Sequence, residues 1–355
     1  MICAGEPVGL PPSHAVVPEL YATGFEFAEG PALDDAGNLY VVNYRGLGKI
    51  GRIAPDGTAA VYCDLREREP PPAEGRKAQA NGLKIDAADR LIVADAGGGR
   101  VLRIALATDG KRPKIEVLAD KYEGKPLDAP NDVALDLAGN VYFSDPGSSN
   151  AERPTGSIYR IAADDGRITR LDAGLAYPNG LAVAPDQKRL CLAEYARCRL
   201  LIYDLTSDGR AENRRVLIEF TDKSARGNAG GPPGPDGVIF DAAGRLYAAM
   251  WTGGVINVVD VASGKLLRQY DAGGSQATNC HFHSGWLYTT IAAKEAVFKS
   301  LRPSSDSSCD PREAKILDDA SSLACAVLRG RLQELADREH VSSAVDPDSW
   351  TGVLA

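Results

Sequence analysis

The chain has 355 residues, 44% of them hydrophobic and 25% charged, with a formal net charge of −8. That balance supplies ample apolar material for a core and argues against a disordered chain. The acidic excess works against attraction to phosphate backbones or anionic lipid, so neither nucleic acid nor a membrane surface is an expected partner.

In chain order, the N-terminus shows neither a basic n-region nor an apolar h-region, and no segment is long and apolar enough to cross a bilayer. A cytoplasmic location is the expectation. The run at residues 19–23 has no hairpin of its own. Six segments then share one form, an apolar run, a polar turn and a second apolar run: GPALDDAGNLYVV (30–42), NGLKIDAADRLIVAD (81–95), NDVALDLAGNVYFSD (131–145), NGLAVAPDQKRLCLA (179–193), DGVIFDAAGRLYAAM (236–250) and NCHFHSGWLYTT (279–290). Each reads as two short strands around a tight turn. A third strand-like run follows each hairpin, and in the first five units a Gly turn leads to a fourth. The units recur about every fifty residues, within the range of propeller blades. Few folds repeat a four-stranded unit at that spacing. The predicted fold is therefore all-β, a six-bladed β-propeller of four-stranded antiparallel blades over residues 1–300, with the N-terminal strand completing the last blade. Residues 301–355 are a C-terminal extension, predicted partly helical from the spacing of Leu323, Val327, Leu328, Leu332 and Leu335.

Seven scattered cysteines without a CxxC pair argue against a disulfide framework or structural zinc site, and most read as buried thiols. The Gly- and Pro-rich loop 226–235 cannot continue a strand and precedes Asp236, where it would border a binding site.

One polar residue opens each hairpin: Glu29, Asn81, Asn131, Asn179, Asp236 and Asn279. Because the first strand of a blade lies nearest the axis, these positions converge on one channel mouth. Two carboxylates and four amides are hard oxygen ligands suited to calcium or magnesium, and two negative charges offset one divalent cation. The plain alternative, that Asn and Asp open turns, suits any one position better than all six together. His281 and His283 face one side of a strand and leave three readings: a softer metal such as zinc, a substrate or acid-base contact for His281, or packing. Tyr195, Arg197, Trp251 and Asp145 follow second strands and are placed lower in the blade or toward the opposite face. No GxSxG supports a serine nucleophile.

The ordered set AEGP (28–31), PNDVALDLAGNVYFSDP (130–146), YPNGLAVAPD (177–186), GPDGVIFDAAGRLY (234–247) and TNC (278–280) resembles the gluconolactonase, senescence-marker (regucalcin) and luciferin-regenerating enzyme family over about residues 21–300. The resemblance implies a single divalent cation in the channel, calcium first, with magnesium, manganese or zinc as alternatives. Glu29, Asn179 and Asp236 resemble the family's ligands. Asn131 matches a residue that ligates the metal or contacts substrate, and Asn81 one that lies just outside the ligands or faces substrate. The family chiefly hydrolyses sugar lactones, and some relatives cleave phosphotriesters, so a small-molecule substrate is implied. A cation would polarise the ester carbonyl while a carboxylate accepts the proton of an attacking water. Asp236, beside the Gly/Pro loop, is the candidate catalytic base. Asn81, Asn131 and His281 are the candidate substrate contacts, the amides donating to a carbonyl oxygen or to hydroxyls. Competing readings are a metal-free condensing or lyase enzyme of the strictosidine-synthase type, a specialised biosynthetic enzyme, and a calcium-binding propeller without turnover.

Overall fold

The computed structural model describes residues 9–105, 113–221 and 233–301. Six four-stranded antiparallel sheets form a six-bladed β-propeller. Their inner strands begin with Ala28–Leu33 in blade one and continue with Ala80–Ile85, Val133–Leu135, Pro178–Val183, Pro235–Phe240 and Ala277–His283. Each inner strand packs on the inner strand of the next blade, and the last packs on the first. Five blades are continuous in sequence. The sixth takes its outer strand from the other end of the chain, Glu19–Thr23 pairing antiparallel with Ala296–Ser300. The edge of Tyr21 meets the ring of Tyr288 at 5.1 Å between centroids.

The recurrent turn has a simple local cause. Asp34, Asp86, Asp136 and Asp241 each accept, through Oδ1, the amide of the residue four further on, at 2.8 to 3.0 Å. The Asp side chain thus closes the loop and holds the two strands in register. In three of these turns the hydroxyl of Tyr40, Tyr142 or Tyr247 reaches the same carboxylate. Between blades the faces are apolar. Tyr247, Tyr270 and Phe282 fill the gap between blades five and six, and Val42, Ile50, Leu83 and Leu91 fill that between one and two, all fully buried. Full burial of such side chains stabilises by about 1.5–3 kcal/mol each, so the ring is held mainly by contacts between sheets.

Cys63, Cys191 and Cys280 are buried thiols and Cys198 is half-buried. Among the described residues no helix is long and apolar enough to cross a membrane. The C-terminal extension beyond Leu301 and loop 226–235, save its last three residues, lie outside the described residues.

Candidate functional site

The site arises from one bulge repeated around the ring. In blades two, four and five the inner strand advances three residues while its partner advances two, between Ala80 and Leu83, Pro178 and Leu181, and Pro235 and Val238. Blade one carries the same extra residue between Glu29 and Ala32. A bulge re-aims a side chain out of the ladder, and here the re-aimed residues are Glu29, Asn81, Asn179 and Asp236. Asn131 stands just before its strand, its amide fixed to the Ser144 carbonyl at 2.8 Å. All five line one cavity of about 220 Å³ and are only 6–9% exposed.

In the sixth blade the same register puts Thr278, not Asn279, in this tier. Its hydroxyl is turned aside, donating to the Ala28 carbonyl at 2.8 Å. Asn279 falls one step deeper, level with Gly30, Gly82, Asp132, Gly180 and Gly237. Four glycines there let the inner strands touch. A Cβ on Gly180 would overlap the carbonyl oxygen of Asp236 and lie 2.7 Å from Gly237 Cα. The motifs pair a polar residue with Gly for this reason: the first faces the cavity, and the second passes the neighbouring backbone.

Glu29 and Asp236 are pushed well above the usual carboxylate range. Burial is the main cause for both, reinforced by Asp132 on Glu29 and by Glu29 and Asp132 on Asp236. Against this, the Gly30 amide donates to Glu29 Oε2 at 3.0 Å, and Asn179 donates to Asp236. Two repelling carboxylates held away from water, with three amides in the same wall, form a donor set that fits a hard cation. Among the described residues no group of three His, Cys, Asp or Glu side chains gathers to hold a metal; the candidate centre is a mixed carboxylate and amide cup.

Aromatic rings wall the cavity above the cup: Phe27, Tyr44, Tyr177, Tyr195 and Trp251. Four of them form two pairs, across the open ends of the first and fourth hairpins. The Tyr44 amide donates to the Phe27 carbonyl at 3.2 Å and that of Tyr195 to Tyr177 at 3.1 Å. Phe27 and Tyr177 are both left-handed, at φ 65° and 56°, a conformation that costs a bulky residue about 1–3 kcal/mol and clusters at functional sites. Phe27 also lies 5.3 Å from Trp251 between ring centroids. Burial first, then the nearby tyrosine and carboxylates, pushes the Tyr177 phenol up to about 12; Tyr44 and Tyr195 are likewise raised, chiefly by burial. All three phenols stay protonated at neutral pH and can donate hydrogen bonds.

Glu29, Asn81, Asn131, Asn179 and Asp236 are thus brought together, but His281 is not. It is buried, does not line the cavity, and sits two steps down the channel. Tyr195 and Trp251 correct the sequence placement in the other direction. A second strand runs antiparallel to the inner one and returns to the end where the hairpin began, so residues just after it reach the cavity. Asp145 instead clamps the approach to Asn131, accepting from the Asp128 and Ala129 amides at 2.9 and 2.7 Å. Arg197 pairs with Glu194 at 3.6 Å. Sequence reasoning missed Phe27, Tyr44 and Tyr177. Their signal was an aromatic just before an inner strand or just after a second one.

Comparison with known proteins agrees with this fold. The SMP-30/Gluconolactonase/LRE-like region matches residues 27–293. A gluconolactonase from Zymomonas mobilis is 28% identical over 243 residues, 65% of this chain and 66% of its own length, so the chain spans just under two thirds of that relative. A diisopropyl-fluorophosphatase from Loligo vulgaris is 28% identical over 295 residues, 77% of this chain and 88% of its own. A solved gluconolactonase from Xanthomonas campestris superposes with a TM-score of 0.64 at 24% identity, covering 81% of this chain and 89% of its own. A luciferin-regenerating enzyme gives 0.64 at 21%, covering 85% and 93%. At these identities the two structures share the fold.

Proposed function

Because the chain belongs to the SMP-30/gluconolactonase/LRE-like family, we propose that it hydrolyses a lactone or related cyclic ester with the help of one divalent cation, calcium first. The observation that carries this reading is the pair of buried, mutually repelling carboxylates, Glu29 and Asp236, at the floor of an aromatic-walled cavity. Glu29, Asn179, Asp236 and Asn131 would hold the cation. When bound, it supplies Lewis-acid polarisation of the ester carbonyl.

The chain's own residues do the rest. Asp236 accepts the proton of the attacking water at a carboxylate oxygen, the step that makes water a competent nucleophile. The amide groups of Asn81 and Asn131 donate to the carbonyl oxygen, where negative charge develops, or to substrate hydroxyls. Phe27, Tyr177, Tyr195 and Trp251 cover the ring of the substrate and exclude bulk water. The names of the relatives support lactone chemistry and make dialkyl fluorophosphates a second substrate set to assay.

A pH-stat assay tests the proposal on aldonolactones and simple δ-lactones, with protein stripped by chelator and then reloaded. Activity should vanish on stripping and return with calcium, magnesium or manganese. Hydrolysis indifferent to chelation, or restored by zinc alone, refutes it.

A further inference from the structure

The second strand of each blade ends beside the start of the inner strand, at Asn43, Asp95, Asp145, Glu194, Met250 and Ile291. In blades two, three and four this last residue is a carboxylate, and these are the blades whose inner strands bring Asn81, Asn131 and Asn179 to the cup. Asp95, Asp145 and Glu194 do not line the cavity, and each is at most 7% exposed. A carboxylate is almost never buried without partners, and here the partners share one place in the chain.

Asp95 Oδ1 accepts the Gln79 amide at 2.7 Å, two residues ahead of Asn81. Asp145 accepts from Asp128 and Ala129, three and two ahead of Asn131. Glu194, longer by one methylene, reaches the Ala176 amide at 2.9 Å, three ahead of Asn179. Each amide belongs to the connection that enters an inner strand, so each carboxylate holds the chain just before a cup residue. Arginines complete the arrangement. Arg100 pairs with Asp95 and Arg199 with Glu194, each from the start of the third strand of the same blade. Arg76 acts on the chain itself, donating to the Leu127 and Asp128 carbonyls at 2.8 and 2.9 Å, so the approach to Asn131 is gripped through its carbonyls and its amides at once. The blades that carry the cup's carboxylates differ. In blade one Asn43 turns to its own loop and accepts from the Gly46 amide at 3.2 Å, and in blade five the place belongs to the apolar Met250.

We infer that Asp95, Asp145 and Glu194 are positioning residues that fix the amide half of the cup, Asn81, Asn131 and Asn179, for the ion. A neutral amide is drawn to a cation far less strongly than a carboxylate, so its oxygen contributes most when it is already held where the ion will sit. Hydrogen bonds to an ionised acceptor are roughly twice as strong as neutral ones, which suits a buried carboxylate to that task. The inference rests on the cation reading of the cup but not on lactone hydrolysis.

Asp145 is the position to test, because replacing Asp95 or Glu194 would also strand an arginine partner. Calorimetric titration of the full chain with calcium, checked by terbium(III) luminescence, compares wild type with Asp145→Ala, Asp145→Asn and Asp136→Ala. Asp136 belongs to the same blade but closes the turn at its far end, where it accepts from Asn140 and Tyr142; its loss costs stability and leaves the cup alone. Removing a group that holds metal ligands in place typically costs about 10–100-fold in affinity, the loss expected of Asp145→Ala. Asp136→Ala should bind as wild type does, and Asp145→Asn, which keeps one acceptor oxygen, should fall between the two. In an Asn131→Ala background the further change to Asp145→Ala should alter affinity less than about three-fold, since the clamp has no ligand left to place, whereas a merely structural role would cost the same in both backgrounds. Wild-type affinity in Asp145→Ala overturns the inference, as does an equal loss in Asp136→Ala or an undiminished loss in the Asn131→Ala background. Wild type that binds neither ion overturns the cation reading itself, and the inference with it. Should circular dichroism show Asp145→Ala unfolded, Asp145→Asn decides, and wild-type affinity in it overturns the proposal. Should Asn131→Ala bind too weakly to titrate, the comparison of Asp145→Ala with Asp136→Ala decides by the same criteria.

Discussion

Gly180→Ala isolates the contact that seats the cup. A methyl at this position would overlap the carbonyl oxygen of Asp236 and lie 2.7 Å from both Gly237 Cα and Val238 N. Ordinary contact for a methyl carbon is about 3.5–4.0 Å, so the shortfall is roughly 1 Å against three backbone atoms at once. No rotamer can relieve it, and the strand that carries Asp236 must move. Overpacking of a tight interior costs about 1–3 kcal/mol, more when backbone must shift, and the upper end applies here. Urea denaturation should show that loss, and calcium titration should show weakened binding because a ligand strand is displaced. Gly244→Ala is the control. Its φ of +80° strains any side chain, but nothing lies within 4 Å, so it should cost about 1–2 kcal/mol and leave calcium binding alone. Gly180→Ala with wild-type stability and affinity would refute the close approach of the inner strands.

Deleting residues 1–24 removes the outer strand of blade six and leaves Ala296–Ser300 as a bare edge; insoluble protein is expected on expression, and a soluble, active deletion would contradict the closure. Glu29→Gln and Asn179→Ala should lose activity through occupancy and regain part of it at high calcium. Asp236→Asn should lose about 10²–10⁴-fold in rate with no rescue, and near-full turnover with metal bound would remove Asp236 as the base. In the metal-free fold Glu29 and Asp236 have raised pKa values, so the folded state holds more protons than the unfolded one and stability falls as pH rises through that window. Metal-free protein should melt lower at pH 8 than at pH 5.5, and calcium should raise the melting temperature more at pH 8; the opposite trend would show that the pair is not repelling.

The propeller was legible because its repeat is written in local chemistry. The turn Asp and the alternating strand residues recur in four of the six hairpins with the hydrogen bonds they imply, and a Gly stands three residues after the Asp in three of them. The cup residues were legible for a related reason, since a bulge needs a marked pair at a fixed place and Asn-Gly or Asp-Gly supplies it. Blade six has no such Gly, and the eye aligns Asn279 with the other asparagines although the ladder assigns the place to Thr278. The burial of Lys84 was illegible because a lone lysine in a strand reads as a solvated side chain, yet it is only 7% exposed. The aromatic wall was hidden by non-locality: Phe27 and Trp251, separated by four blades of sequence, meet only when the ring closes.

That closure also orders events during synthesis. Glu19–Thr23 leaves the ribosome before any other blade strand, yet its partner Ala296–Ser300 is made roughly 275 residues later, an interval of about 15–55 s at ordinary elongation rates. Through that time five blades can complete themselves from contiguous chain while both flanks of the arc stay open and apolar. The vulnerable species in the life of this protein is therefore the nascent horseshoe, and the last sheet to form is the latch that ends its exposure to wrong partners.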